Sequence, residues 1–93
     1  MDMLKNRFGS IPKRLTKMTL SNLEIGIEAT ITNVCHPSLQ YKRRMMELGL
    51  IRGTIIMKES YAPLGDPMTL LVNGSKLAIR NEEAKYIDIE LNM

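Results

Sequence analysis

Residues 43–56 read RRMMELGLIRGTII. Two readings compete for them: a basic helix that grips a ligand, or a helix end that turns directly into a strand. The flanking residues favour the second. Ser38 is a good N-cap, because its hydroxyl oxygen can accept one of the orphan N–H groups of a first turn. Beyond it, Leu39, Met46 and Leu50 fall at i, i+7 and i+11, and Met45 and Leu48 widen the apolar stripe. Gly49 stands just past the last turn, where a chain often goes left-handed, and Leu50 is placed for the apolar contact that accompanies such a cap. Gly53 then opens a strand, GTIIMKESY, predicted to turn Ile55, Met57 and Tyr61 to one face.

Outward from this joint the pattern is mostly period two. Upstream, Ile27, Ala29 and Ile31 alternate with Glu28, Thr30 and Thr32, a half-buried strand that HPS at 36–38 ends. Downstream, APLGDP at 62–67 is a loop with restricted geometry. PMTLLV and SKLAIR flank Asn73–Gly74, a hairpin signal because both central positions of a type I′ turn need positive φ. NEEA at 81–84 suggests one helical turn, and Ile87, Ile89 and Leu91 then alternate with Asp88 and Glu90. The fold expected is mainly β: about five short antiparallel strands, with one helix of about three turns between the first and second. Closing them into a small barrel would remove the exposed edges of a flat sheet.

The chain has 93 residues, 44% of them hydrophobic and 25% charged, so it holds one small globular domain. The net charge of +3 is unevenly spread. Residues 1–17 carry five basic side chains against Asp2 alone, whereas the remainder carries eight basic and nine acidic ones. We read 1–17 as a flexible basic extension and 18–93 as the folded domain, near neutral and lacking the basic face that nucleic-acid binding needs. No apolar run approaches the roughly 18 residues of a membrane span, which predicts a cytoplasmic protein.

No catalytic constellation emerges. The one cysteine, Cys35, precedes the one histidine, His36, and a nucleophilic pair needs a third group to orient the base. As metal ligands the two fall short of the three or four that zinc takes, so a buried thiol beside a surface histidine is the simpler expectation. The eight methionines share no ligand-like spacing and read as packing. A P-loop is absent from the sequence. Lys42, Arg43 and Arg44 are the one basic run of the domain. Three consecutive helical residues fan over about 200 degrees, so at most two face solvent together, and Glu47 lies within ion-pair reach. Tyr41, Tyr61 and Tyr86 are scattered, with no Trp, which predicts no aromatic platform for bases or proline-rich peptides.

The segments that remain closely resemble the FeoA family from about Leu20 to Leu91. They are Arg44 with Glu47-Leu48-Gly49-Leu50, Gly53, Ala62-Pro63, Gly65-Asp66-Pro67, Val72 with Gly74, Ile79-Arg80, and Glu83-Ala84 with Ile87. They occur in the family's order and spacing. Arg52 stands where the family commonly has proline, and residues 1–17 lie outside its pattern. The resemblance implies an SH3-like barrel and a cytoplasmic, non-enzymatic accessory protein of bacterial ferrous iron transport. It would dock on FeoB, a membrane transporter with a cytoplasmic GTPase domain, and meet the membrane through that partner only. A P-loop in the partner fits the lack of one here. Similar barrels end iron-dependent repressors, so fold alone does not assign the role. The expected contact surface is Lys42, Arg43 and Arg44 with the loop Pro63, Leu64, Gly65, Asp66 and Pro67. The alternative is a small barrel that binds or senses a divalent metal, iron or zinc, weakly through Cys35 and His36. A barrel that binds nucleic acid through the basic tail ranks third. The oligomeric state stays open, a dimer included.

Overall fold

The computed structural model describes residues 18–92; the extension read at 1–17 lies outside them. Six strands form one antiparallel sheet: β1 (Met18–Thr19), β2 (Glu28–Val34), β3 (Ile55–Tyr61), β4 (Met68–Val72), β5 (Ser75–Ile79) and β6 (Ile87–Leu91). Helix α1 (Leu39–Glu47) joins β2 to β3, and the single turn α2 (Asn81–Ala84) joins β5 to β6. The two-residue β1 is the strand that the sequence pattern is too short to show.

The 43–56 stretch is a helix stop built into a strand start. Leu50 N–H donates to Met45 C=O (2.9 Å) and Gly49 N–H to Met46 C=O (3.0 Å), the paired bonds of a Schellman cap. Gly49 takes the left-handed conformation that this cap requires, at φ +91°. Leu50 and Met45 bury together beneath it. Four residues later Gly53 N–H donates to Ile31 C=O (2.7 Å), and Thr54 C=O accepts from Ile31 N–H (2.9 Å). The chain thus leaves the helix already stitched to β2. Only Met45 and Leu50 of the expected apolar stripe are buried. Leu39, Met46 and Leu48 are exposed, because within this short helix Met45 alone turns into the core.

Cross-strand register decides which residues face inward. Ala29, Ile56 and Val72 lie opposite one another across β2, β3 and β4, and all three are buried. That row puts Ile56 inside, so Ile55 and Met57 turn outward, the reverse of the face expected from the sequence. Lys58 consequently falls on the core face opposite Leu70 and is 0% exposed. Its Nζ donates to the Tyr61 hydroxyl at 2.8 Å, so the stem packs inside while the ammonium reaches a half-exposed phenol. Asp88, expected outside, is also buried. The hairpin forms as predicted, with Asn73 at φ 52° and Gly74 at φ 82°.

The sheet order is β1-β6-β2-β3-β4-β5, and its two ends do not pair with each other. Hydrogen-bonded closure is therefore not made. Near these ends α2 packs on the 3-10 turn Leu20–Asn22, and Leu20 and Ala84 are fully buried.

The joint generates two expectations, both measurable by urea unfolding. A Cβ at Gly49 would meet its nearest neighbours at an ordinary 3.8 Å. Gly49→Ala should therefore cost about 1–2 kcal/mol from backbone conformation alone, and Gly49→Asn should recover part of that loss. Leu50→Ala should cost more, about 2–5 kcal/mol, by leaving a cavity.

Candidate functional site

The residues that follow β2 assemble a small aromatic cluster at the start of α1. His36 Nδ1 accepts the backbone N–H of Ser38 at 2.9 Å, which puts the neutral ring's proton on Nε2. Ser38 Oγ accepts from Tyr41 N–H at 3.5 Å, a long N-cap bond. So anchored, the imidazole lies between two tyrosines, with ring centroids 4.8 Å from Tyr41 and 4.5 Å from Tyr86. Tyr86 arrives from the far end of the chain because Cys35 N–H donates to its carbonyl at 2.9 Å. The tyrosines that look scattered in the sequence thus converge in part, and the expectation of no aromatic platform is corrected.

Around this cluster lies a groove of about 570 Å³, within the range of about 300–1,000 Å³ usual for ligand sites. Its lining adds Arg44 of α1, Pro67 of the loop, Ala78 of β5, and Arg80, Glu82 and Glu83 at α2. A second depression of about 680 Å³ runs along α1 past Leu39, Tyr41, Arg43, Arg44 and Glu47. Tyr41 and Arg44 border both.

Of the residues expected to make contacts, Arg44 and Pro67 line this groove together. Arg43 sits on the neighbouring helix face, and Lys42 is half buried, as a three-residue fan on a helix requires. Among the described residues no ion pair joins Arg43 or Arg44 to Glu47; the one formed is Lys76–Glu59 at 3.4 Å. The loop is held shut by Gly65 N–H on Ala62 C=O (2.7 Å) and Ala62 N–H on Pro67 C=O (2.9 Å). It is tied to α2 as well: Asp66 Oδ1 accepts from Asn81 N–H (2.9 Å), and Asn81 Nδ2 donates to Gly65 C=O (2.8 Å). Pro63 and Asp66 are exposed, and Leu64 is 96% exposed on this rigid mount. The sequence gives Arg80, Tyr41 and Tyr86 no contact role, since no spacing links positions so far apart.

The Cys35–His36 expectation reverses. The thiol is exposed and the imidazole half buried. Cys35 Sγ donates to Tyr86 C=O at 3.3 Å while His36 Nδ1 is occupied by Ser38, so their donor atoms serve different neighbours. Among the described residues no three His, Cys, Asp or Glu side chains gather as a metal site would need. The pair does not fit a closed metal site of its own.

A family model described as the FeoA domain matches residues 18–91. The chain belongs to the FeoA domain family. It is 32% identical over 74 residues to a Fe(2+) transport protein A/Fe(2+) transporter FeoB fusion protein of Porphyromonas gingivalis, an alignment covering 80% of this chain and 9% of that protein. The solution structure of a FeoA protein from Chlorobium tepidum is 39% identical and superposes with a TM-score of 0.74, over 80% of this chain and 70% of that one. A Stenotrophomonas maltophilia FeoA complexed with zinc, described as an SH3 domain protein, is 30% identical with a TM-score of 0.69, over 78% and 89% of the two chains. The fold of this FeoA domain is the SH3-like one expected, with six strands and an open sheet.

Because its thiol is at the surface, Cys35 should react with iodoacetamide in the folded protein within an order of magnitude of its rate in urea. Labelling that needs unfolding would contradict the exposed placement.

Proposed function

We propose that this FeoA domain is a non-enzymatic regulator of ferrous iron uptake that docks on the FeoB transporter at the cytoplasmic face of the membrane. The observation that carries the reading is the fusion protein, in which a relative of this domain and FeoB share one chain. Two modules joined covalently in one protein work on one another at high effective concentration. Such a domain meets its partner through a surface, and α1 with the 62–67 loop is the candidate. Arg43 and Arg44 are exposed with no ion pair among the described residues, half-buried Lys42 adds charge beside them, and Leu64 projects from the loop. Pro63, Gly65, Asp66 and Pro67 shape and hold that loop, so its apolar tip is presented without an ordering cost. Nothing in the groove pairs a nucleophile with a base, which suits a binding role. Among the described residues no helix is long and apolar enough to cross a membrane, in keeping with attachment through FeoB.

The second reading is a weakly held divalent cation, iron or zinc, at Cys35 and His36. The zinc complex of the Stenotrophomonas relative speaks for it. The divergent hydrogen bonds of the two side chains speak for the docking role instead.

The test is a pull-down with cognate FeoB, together with FeoB GTPase rate as this protein is titrated in. Wild type should bind and change the rate. Arg44→Glu and Leu64→Asp should each weaken capture by about tenfold or more while leaving the urea midpoint unchanged, as expected of exposed contact residues. Absence of capture and of any rate change at high protein concentration would overturn the reading.

A further inference from the structure

The open sheet leaves β5 with a neighbour on one side only, and the hairpin register shows which of its main-chain groups are idle. A two-residue turn at Asn73–Gly74 makes Val72 and Ser75 a hydrogen-bonded pair, and such pairs alternate along an antiparallel ladder. Ser75, Leu77 and Ile79 therefore turn their N–H and C=O groups toward β4, while Lys76 and Ala78 turn theirs away from it. None of the loop, turn and cap hydrogen bonds among the described residues takes these groups up. The edge stops at Arg80, whose N–H goes to Glu83 Oε1 (3.3 Å) and whose C=O accepts from Glu83 and Ala84 N–H. Two consecutive outward-facing residues thus offer two donors and two acceptors in strand geometry.

This edge opens into the groove, because Ala78 lines it together with Tyr41 and Arg44 of α1. The charge around it is distributed in a specific way. Arg44 and Arg80 have no ion pair among the described residues, and Arg43 and Lys42 stand beside them on the helix. In the lining itself Glu82 and Glu83 balance the two arginines, and the excess positive charge comes from Lys42 and Arg43 on the helix beside it, against Glu47. The groove therefore combines an idle strand edge, three rings in tilted contact and two guanidinium groups suited to a carboxylate. A second copy pairing through its own β5 would bring its Lys76 toward the basic helix α1, whose Lys42, Arg43 and Arg44 outnumber Glu47, so charge favours an acidic occupant.

We propose that β5 accepts an extended acidic segment of the FeoB partner as an added strand. Its main chain bonds to Lys76 and Ala78, a carboxylate meets Arg44 and Arg80, and an apolar side chain lies on the His36–Tyr41–Tyr86 rings. The proposal rests on the docking reading above and names the mode of contact and the chemistry of the segment recognised.

The experiment titrates the isotope-labelled full chain with the cytoplasmic portion of cognate FeoB and follows amide hydrogen exchange residue by residue. At saturation the Lys76 and Ala78 amides should exchange at least about tenfold more slowly. The double variant Arg44→Glu, Arg80→Glu should raise Kd at least about tenfold, and Ala78→Pro should do the same, since it deletes an outward N–H and no ladder bond. The Leu77 amide, bonded within the hairpin, reports whether each variant is folded; if Ala78→Pro is not, exchange in the wild type still decides. Binding with both edge amides still fast would overturn the added strand and leave docking intact, whereas no binding would remove both. Edge amides already protected without partner, with a dimer in sedimentation, would assign the edge to a second copy and overturn the proposal.

Discussion

The main-chain bond from Leu50 N–H to Met45 C=O is the constraint on which the rest of the molecule depends. It can form only if Gly49 goes left-handed, and glycine is the residue that does so cheaply. Once made, it stops α1, buries Leu50, and aims the chain so that Gly53 and Thr54 bond directly to Ile31. The register of β3 against β2 follows from that stitch, and the pairing of β4 and then β5 follows from β3. The helix that carries the basic run is therefore mounted on the same joint that starts the sheet. A change at the cap would move the basic helix and the core together.

Register, rather than local pattern, sorts the residues of β3. A one-residue choice of phase exchanges the two faces of a strand. In IIMKESY either phase offers apolar residues, Ile55 and Met57 on one side and Ile56 on the other, so alternation alone could not select. Pairing with Ala29 and Val72 selects Ile56 and carries Lys58 inward with it. A lysine is admitted because its long stem packs as hydrocarbon and its ammonium finds the Tyr61 hydroxyl. The outcome is a strand with a cation on its core face and two apolar side chains outside.

The surface has a comparable logic. The thiol and imidazole that adjoin in sequence are drawn apart by separate hydrogen bonds. What converges there is two guanidinium groups, three rings in tilted contact, an anchored loop with an apolar tip, and the edge of β5, which does not pair with β1. These parts come from α1, the 62–67 loop, β5, α2 and the residue before β6, so they exist as one surface only in the folded chain.

The sequence by itself determined the local geometry. Gly49 marks the helix stop, Asn73–Gly74 the hairpin, Ser38 the helix start, and the family-matching segments from Leu20 to Leu91 name the FeoA fold, because each depends on a residue's own backbone preference or on neighbours a few positions away. Tertiary structure alone decided the phase of β3, the burial of Lys58 and Asp88, the exposure of Cys35, the open sheet, and the meeting of His36 with Tyr41 and Tyr86. Those outcomes depend on which strands lie side by side and in what register, a choice made by the packing of residues far apart in the chain, such as Cys35 and Tyr86, 51 positions apart.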